Sequence, residues 1–380
     1  MDGVGRTVLI ASPSADVYGS DLQMAQSVVG LSQHGWRVHV MLPATGELTS
    51  ILEASGADVS LVDFPVLRRA DASPAGMARL VRAGLNAVRT IRQAVRRVGP
   101  DVVLVNTVTL PWWLVAARST GTPTMCHVHE AEARDPRLVR AALAVPLLAA
   151  HTIVVNSRTT FESVCQVVPL LRGRTRLVYN GVQPPSGEPS ARTPDEQTRL
   201  VVIGRLSPRK GPDIALEAVA RLRADGLNVS LELCGTPVAS QEWFRDRLVR
   251  RSHQPDLEGS VTFADYTSPI WPALARADIV LAPSLGESFG NVVVEGQLAR
   301  RPVVATAVQG HLETVDDGRT GLLVPPEDPA ATAAAIKRLM ADPTLARRVA
   351  DEGRRVALER FTAQRFREEM ASVVAQVAGS

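Results

Sequence analysis

The sequence of 380 residues predicts an α/β fold made of two Rossmann-like, doubly wound domains, and three observations lead there. Short apolar runs alternate with longer amphipathic stretches from end to end, the pattern of parallel sheets covered by helices on both faces. The alternation stops once, at QPPSGEPSARTP (Gln183 to Pro194), and then restarts; this stretch is the richest in proline, glycine and serine and reads as a linker. The length is also sufficient for two cores of ordinary size.

In the first half, Thr7 to Ala11 reads as a strand, followed by the loop SPSADVYGSD and a helix from Leu22 to Gln33. The loop lacks GxGxxG, so a nicotinamide site is not supported; Gly19 and Ser20 either present N–H groups to an anion or form a plain helix cap. Further strands are expected at 36–42, 58–62, 101–105, 122–128, 151–155 and 176–178. Helices are expected at 48–54, 75–98, 109–118, 139–148 and 159–166. Helix 75–98 carries Arg79, Arg82, Arg89, Arg92, Arg96 and Arg97, with Arg68 and Arg69 just upstream. This basic segment, 68–97, is either a contact for an anionic membrane surface or a solvated outer helix. The strand 122–128 ends in HVHE, where α/β sheets place ligands. His127 and His129 share a face by alternation, but no third ligand stands at a metal-binding spacing, so His129 is expected to touch substrate instead.

In the second half, strands are expected at 199–203, 229–233, 260–263, 278–281, 302–305 and 321–324, and helices at 214–223, 292–299, 330–340, 345–358 and 363–377. Gly204 and Arg205 follow a strand, while Lys210 opens a helix in GRLSPRKG. Two cations at a strand end beside a helix N-terminus suit an anion, although the Walker pattern is absent. Lys210 stands out because lysine occurs only there and at Lys337, all other members of the 42 basic residues being arginine. The loop Pro283 to Asn291 carries Glu287, and the following helix carries Glu295. Beside a phosphate site, carboxylates make sense as readers of sugar hydroxyls.

Bulk composition narrows the classes. Hydrophobic content of 45%, charged content of 21% and a net charge of +3 suit a globular protein and give no electrostatic case for nucleic acid. Cys126, Cys165 and Cys234 are too scattered for a disulfide framework or a zinc site and suit the cytoplasm. TVLIAS is a single short strand rather than a secretion signal.

The segment GESFGNVVVEGQLARRPVVAT…GHLETVDDGRTGLLVPPED closely resembles the donor-binding region of family-4 glycosyltransferases of the GT-B fold, whose Glu-x7-Glu signature is met by Glu287 and Glu295. GRLSPRKG resembles their Gly-Arg…Lys-Gly element, NGV (Asn180 to Val182) their hinge, and HVHE a substrate-facing element. The resemblance implies an acceptor-binding domain at 1–182, a linker at 183–197, a donor-binding domain at 198–360, and a last helix (361–380) returning to the first domain, with the substrates in the cleft between domains. It implies transfer of a hexose-type sugar from a nucleoside-diphosphate sugar to an acceptor hydroxyl, with retention of configuration and with neither metal nor cofactor. Arg205 and Lys210 would hold the diphosphate and Glu287 the donor sugar. Glu295 would bind ribose, with Gly204, Gly235, Ser288, Phe289, Gly290 and Asn291 lining the donor. Gly19 would approach the phosphate and His129 the substrate.

This chain departs from the family in reading YGSD where many members have Gly-Gly, and in carrying Gln297 where a small residue is usual. The acceptor is expected to be a polysaccharide or glycolipid, with a small metabolite as the rival; an epimerase and a non-catalytic nucleotide-sugar binder are the other classes. A cytoplasmic location, with peripheral contact at the inner membrane face, follows from the same reading.

Overall fold

The computed structural model describes residues 5–17, 19–67, 74–129, 136–190, 196–237, 241–265 and 268–379. The chain forms two compact units, Met1–Gly181 together with Ala363–Ser380, and Val182–Thr362.

The first unit runs β1 (Thr7–Ala11), α1 (Gly19–Gln33), β2 (Arg37–Leu42), α2 (Glu47–Ala54), β3 (Ala57–Leu61), α3 (Pro74–Val98), β4 (Val102–Val105), α4 (Pro111–Arg118), β5 (Thr124–Val128), α5 (Arg137–Ala144), β6 (Thr152–Val155), α6 (Arg158–Val167) and β7 (Thr175–Leu177). Its sheet has the order β3-β2-β1-β4-β5-β6-β7, every pair parallel. The direction of winding reverses between β1 and β4. Strands such as β4 (VVLV) are buried along their length, because helices cover both faces of a parallel sheet. One face packs Ile91, Val95, Trp113 and Leu147 around Leu9 and Val103. The other packs Val28 and Leu31 of α1 against Val8 and Val40.

The second unit runs β8 (Thr198–Ile203), α7 (Pro212–Ala224), β9 (Val229–Cys234), α8 (Glu242–Ser252), β10 (Val261–Ala264), α9 (Trp271–Arg276), β11 (Ile279–Ala282), α10 (Asn291–Leu298), β12 (Val303–Thr306), α11 (His311–Thr314), β13 (Leu322–Val324), α12 (Pro329–Ala341) and α13 (Pro343–Arg360). Its parallel sheet has the order β10-β9-β8-β11-β12-β13, so the winding reverses between β8 and β11. Asp328 and Asp342 cap α12 and α13, accepting from Ala331 N and from Thr344 and Leu345 N. The final helix, α14 (Ala363–Ala378), belongs to the first unit, where Phe366, Met370, Val374 and Val377 join the Val28–Leu31 cluster.

Several features differ from the sequence reading, the unexpected short helices α9 and α11 among them. The helix expected at 139–148 ends at Ala144 and continues as a 3₁₀ turn, Val145–Ala149, because Pro146 removes a helical donor. Helix α8 was not anticipated: only Phe244, Leu248 and Ser252 are buried on it, a stripe too narrow to stand out among its charges. The described part of the linker lies on the second unit, with Ser190 O accepting from Arg301 (2.8 Å) and Glu188 pairing with Arg354 at 2.9 Å. Residues 191–195 of that linker, and Arg68, Arg69 and Glu130, lie outside the described residues. No helix among the described residues is long and apolar enough to cross a membrane.

Candidate functional site

Open α/β sheets bind ligands beyond the carboxyl ends of the strands where the winding reverses. In the second unit that point lies between β8 and β11, and the two loops leaving these strands are GRLSPRKG and the loop carrying Glu287. They are fastened together residue by residue. Leu285 N–H donates to the Arg209 carbonyl (2.8 Å), the Arg209 guanidinium donates to Gly286 O (3.0 Å), and Lys210 forms an ion pair with Glu287.

Local backbone geometry explains the approach. Pro208–Lys210 makes a 3₁₀ turn, and Gly211, left-handed at φ 65°, caps α7, so Lys210 stands at a helix N-terminus. Gly235, just after β9, lies against the carbonyl of Gly204; a Cβ there would come within 1.9 Å of that oxygen. Gly290, at φ 96°, caps α10 and leaves room for the His311 ring, which a Cβ would meet at 2.7 Å. The N-terminal N–H groups of α10 thus open beside Ser288 and Asn291. Phe289 is buried and packs edge-on against Phe361 at 5.4 Å, so its backbone, not its ring, faces the loop surface.

The electrostatics separate the two glutamates. Burial alone would raise the pKa of Glu287, but Lys210, His311 and Arg209 bring it down to about 2, so it is a carboxylate at any working pH. Burial raises Glu295 to about 7 against the pull of Lys210, leaving it balanced between acid and carboxylate near neutrality. Arg205 is exposed at the start of the same loop.

In the first unit, Gly19 is the first residue of α1, and His129 follows β5. His129 is buried and donates from Nε2 to Asn106 Oδ1 at 3.1 Å, Asn106 being the residue that follows β4. Its carbonyl accepts from Asn156 Nδ2 (3.5 Å). Burial lowers its pKa to about 4, so the ring is neutral at pH 7 and acts through hydrogen bonds, not charge. His127 is wholly buried, its ring 3.9 Å from that of His129 and stacked on Phe366. Among the described residues no three His, Cys, Asp or Glu side chains are grouped to hold a metal ion.

Comparison with known proteins now places the chain. Residues 22–184 match the family model described as Glycosyltransferase Family 4, and residues 197–342 the model described as Glycosyl transferases group 1. The chain belongs to the family-4 glycosyltransferases. A D-inositol 3-phosphate glycosyltransferase of Acidothermus cellulolyticus is 31% identical over 256 residues, 61% of this chain and 57% of that protein. The match therefore spans little more than half the length of that relative. A glycogen synthase of Mycobacterium tuberculosis is 29% identical over 314 residues, 78% of this chain and 72% of that one. The crystal structure of Anabaena HepE in complex with UDP and glucose superposes with a TM-score of 0.81 at 20% identity, covering 97% of this chain and 99% of that one. The fold of this family-4 glycosyltransferase is thus GT-B, with two Rossmann-like domains.

Three residues of the glycosyltransferase's second-unit site escaped the sequence reading: Arg209, Gln309 and His311. Glu287 N–H donates to Gln309 Oε1 (2.8 Å), and Gly310 N–H donates to the Glu287 carbonyl (2.9 Å), so the turn after β12 grips the Glu287 peptide on both sides. Gln309 adopts φ 34°, unusual for a residue with a side chain. His311 is buried, with Nδ1 donating to the Thr306 carbonyl (3.0 Å). Burial depresses its pKa, opposed by Glu287 and by the hydrogen bond to Thr306. Gln297, the departure noted from the family pattern, is fully buried and donates to Thr314 O at 2.8 Å and Thr320 O at 3.3 Å, tying α10 to the segment before β13.

Proposed function

We propose that this protein transfers a hexose-type sugar from a nucleoside-diphosphate sugar to an acceptor hydroxyl, retaining anomeric configuration and needing no metal ion. The observation that carries the reading is the joining of the Lys210 and Glu287 loops where the second sheet reverses its winding. A lysine ammonium has three donors, so Lys210 can keep Glu287 and still take a phosphate oxygen. Arg205 and Lys210 then neutralise the departing diphosphate, the task a metal ion performs elsewhere. Glu287, held ionised, accepts from a sugar hydroxyl, and Glu295 does so from the ribose. Gly204, Ser288, Phe289, Gly290 and Asn291 offer backbone and short polar groups along the donor, and Gly235 allows the Gly204 turn its close packing. In the first unit, Gly19 is assigned to the phosphate and His129, held neutral, to the substrate. Retention follows if the acceptor attacks the face that the diphosphate leaves, a phosphate oxygen taking the acceptor's proton.

UDP-glucose is the first donor to try, since a structural neighbour was solved with UDP and glucose. The acceptor is assigned to polysaccharide or glycolipid assembly. The relatives' names favour one second reading, a small phosphorylated polyol. Exposed Val81 and Leu85, set among the arginines of α3, support peripheral contact with an anionic bilayer, and three buried free cysteines suit the cytoplasm. The deciding experiment incubates the protein with UDP- and GDP-sugars, with and without acceptors, in excess EDTA, and follows nucleotide release and the anomeric proton of the product. Acceptor-dependent release with a retained anomer is expected. Consumption of donor without nucleotide release indicates an epimerase, binding without turnover a non-catalytic binder, and rescue by a divalent ion overturns the metal-free step.

A further inference from the structure

A polar pocket of about 420 Å³, open to solvent at Arg118, His151 and Arg176, lies in the first unit at the opposite end of the sheet from His129. Arg118, His151, Thr152, Arg174, Arg176 and Val373 line it. Arg118 ends α4, His151 precedes β6, Arg174 precedes β7 and Arg176 lies at the start of that strand, so the polar wall is built at the amino ends of the strands. His129 stands at the carboxyl end of β5, a strand's length away, roughly 16 Å for five residues. The cavity is therefore separate from His129.

Its hydrogen bonding lacks an acceptor. The backbone N–H of Thr124 donates to His151 Nδ1 at 3.0 Å, which places the proton of the neutral ring on Nε2. Nε2 faces Arg118 Nη1 at 2.8 Å, and a guanidinium has no lone pair to offer. Donor thus confronts donor. Arg174 turns Nη1 to the carbonyls of Leu148 and Ala150, and Arg176 turns Nη1 to those of Gly173 and Thr175. Among the described residues none of the three arginines is paired with a carboxylate. Burial, Arg118 and Arg174 all depress the His151 pKa, with only the Thr124 hydrogen bond opposing them, as expected where positive charge is uncompensated.

We propose that this cavity is a binding site for a phosphomonoester dianion, one of whose oxygens sits between Arg118 and His151 and accepts from both, while Arg174 and Arg176 supply the remaining charge. Arginine forks suit phosphate oxygens, and Val373 offers an apolar wall to the group that carries the phosphate. The dianion could come from a soluble phosphorylated metabolite or from the headgroup of a phospholipid.

The test uses the full chain in low-salt buffer at pH 7. Calorimetric titrations with inorganic phosphate and with glucose 6-phosphate are run on the wild type, on Lys210→Ala, and on the double variant Arg118→Gln/Arg176→Gln. Sedimentation with vesicles containing phosphatidic acid is run alongside. Binding that persists in Lys210→Ala and weakens by about tenfold or more in the double variant is expected, on the scale of losing a hydrogen bond to a charged group. Unchanged UDP affinity and melting temperature in the double variant show that the donor site and the fold are intact. Capture by vesicles, lost in the double variant, assigns the headgroup; saturable binding of glucose 6-phosphate without vesicle capture assigns the metabolite. No binding by the wild type to any of these probes, or equal binding by the double variant, overturns the proposal. Loss of phosphate binding in Lys210→Ala alone does so too, because it assigns the anion to the donor site.

Discussion

Replacing Lys210 by Met and Glu287 by Gln, singly and together, isolates the ion pair on which the proposed donor site rests. The Glu287 pKa stands at about 2 in place of 4.5, and each unit is worth about 1.4 kcal/mol. A net preference for the ionised form of about 3 kcal/mol therefore survives the cost of burial. Lys210 and Glu287 keep 27% and 15% of their side-chain surface in contact with solvent, so screening reduces the measurable coupling to about 1–3 kcal/mol. Because the folded pKa is depressed, this stabilisation is complete above the ordinary carboxylate value and disappears only as the pH falls towards 2. Thermal unfolding of the four proteins, followed by calorimetry so that the two units' transitions are resolved, gives the double-mutant coupling at each pH. The coupling is expected at pH 7 and, reduced by only about a quarter, at pH 4, where an ordinary glutamate is largely protonated. A value within about 0.5 kcal/mol of zero at pH 7, the usual spread for independent sites, refutes the pairing. Loss of the coupling already by pH 4.5 refutes the electrostatic account of it.

Arg205→Ala is expected to lower kcat by roughly 10²–10³, the scale for losing one preorganised charge stabiliser; near-normal turnover would remove Arg205 from the diphosphate. His129→Ala should cut transfer while leaving the UDP dissociation constant unchanged, because the ring is neutral and lies in the first unit; weakened UDP binding would reassign it. With the Glu295 pKa at about 7, donor affinity should rise between pH 6 and 8 as the carboxylate forms, and Glu295→Gln should flatten that profile. The same raised pKa makes stability fall as pH climbs from 4.5 through 7, so Glu295→Gln should melt higher than wild type at pH 8. Gly235→Ala should destabilise the second unit by about 1–3 kcal/mol through collision with the Gly204 carbonyl, read as a lowered melting temperature.

The sheets were legible because buried parallel strands have to be apolar throughout, as β4, β11 and β12 are, and the helices between them carry wide apolar faces. Lys210 and Glu287 could be singled out because they stand in loops that a strand and a helix delimit, and Glu295 because it follows Glu287 at a fixed spacing in the next helix. The residues that hold those loops in place were not. Arg209 grips Gly286 across 77 positions, and Gln309 reaches Glu287 across 22, so neither contact exists until β8, β11 and β12 lie side by side. The abundance of arginine concealed more. It hid Arg301, buried among the carbonyls of Leu274, Ala299 and Ser190, and Arg209 itself. Arginines with assigned hydrogen bonds and arginines without them look alike in a sequence.

The structure treats the like charges of Glu287 and Glu295 unevenly. Glu287 is neutralised by a direct partner and stays ionised, whereas Glu295, with Lys210 acting on it only at a distance, keeps its proton to near neutrality. At pH 7 and before any ligand arrives the two carboxylates therefore carry about one and a half negative charges between them, of which Lys210 offsets one.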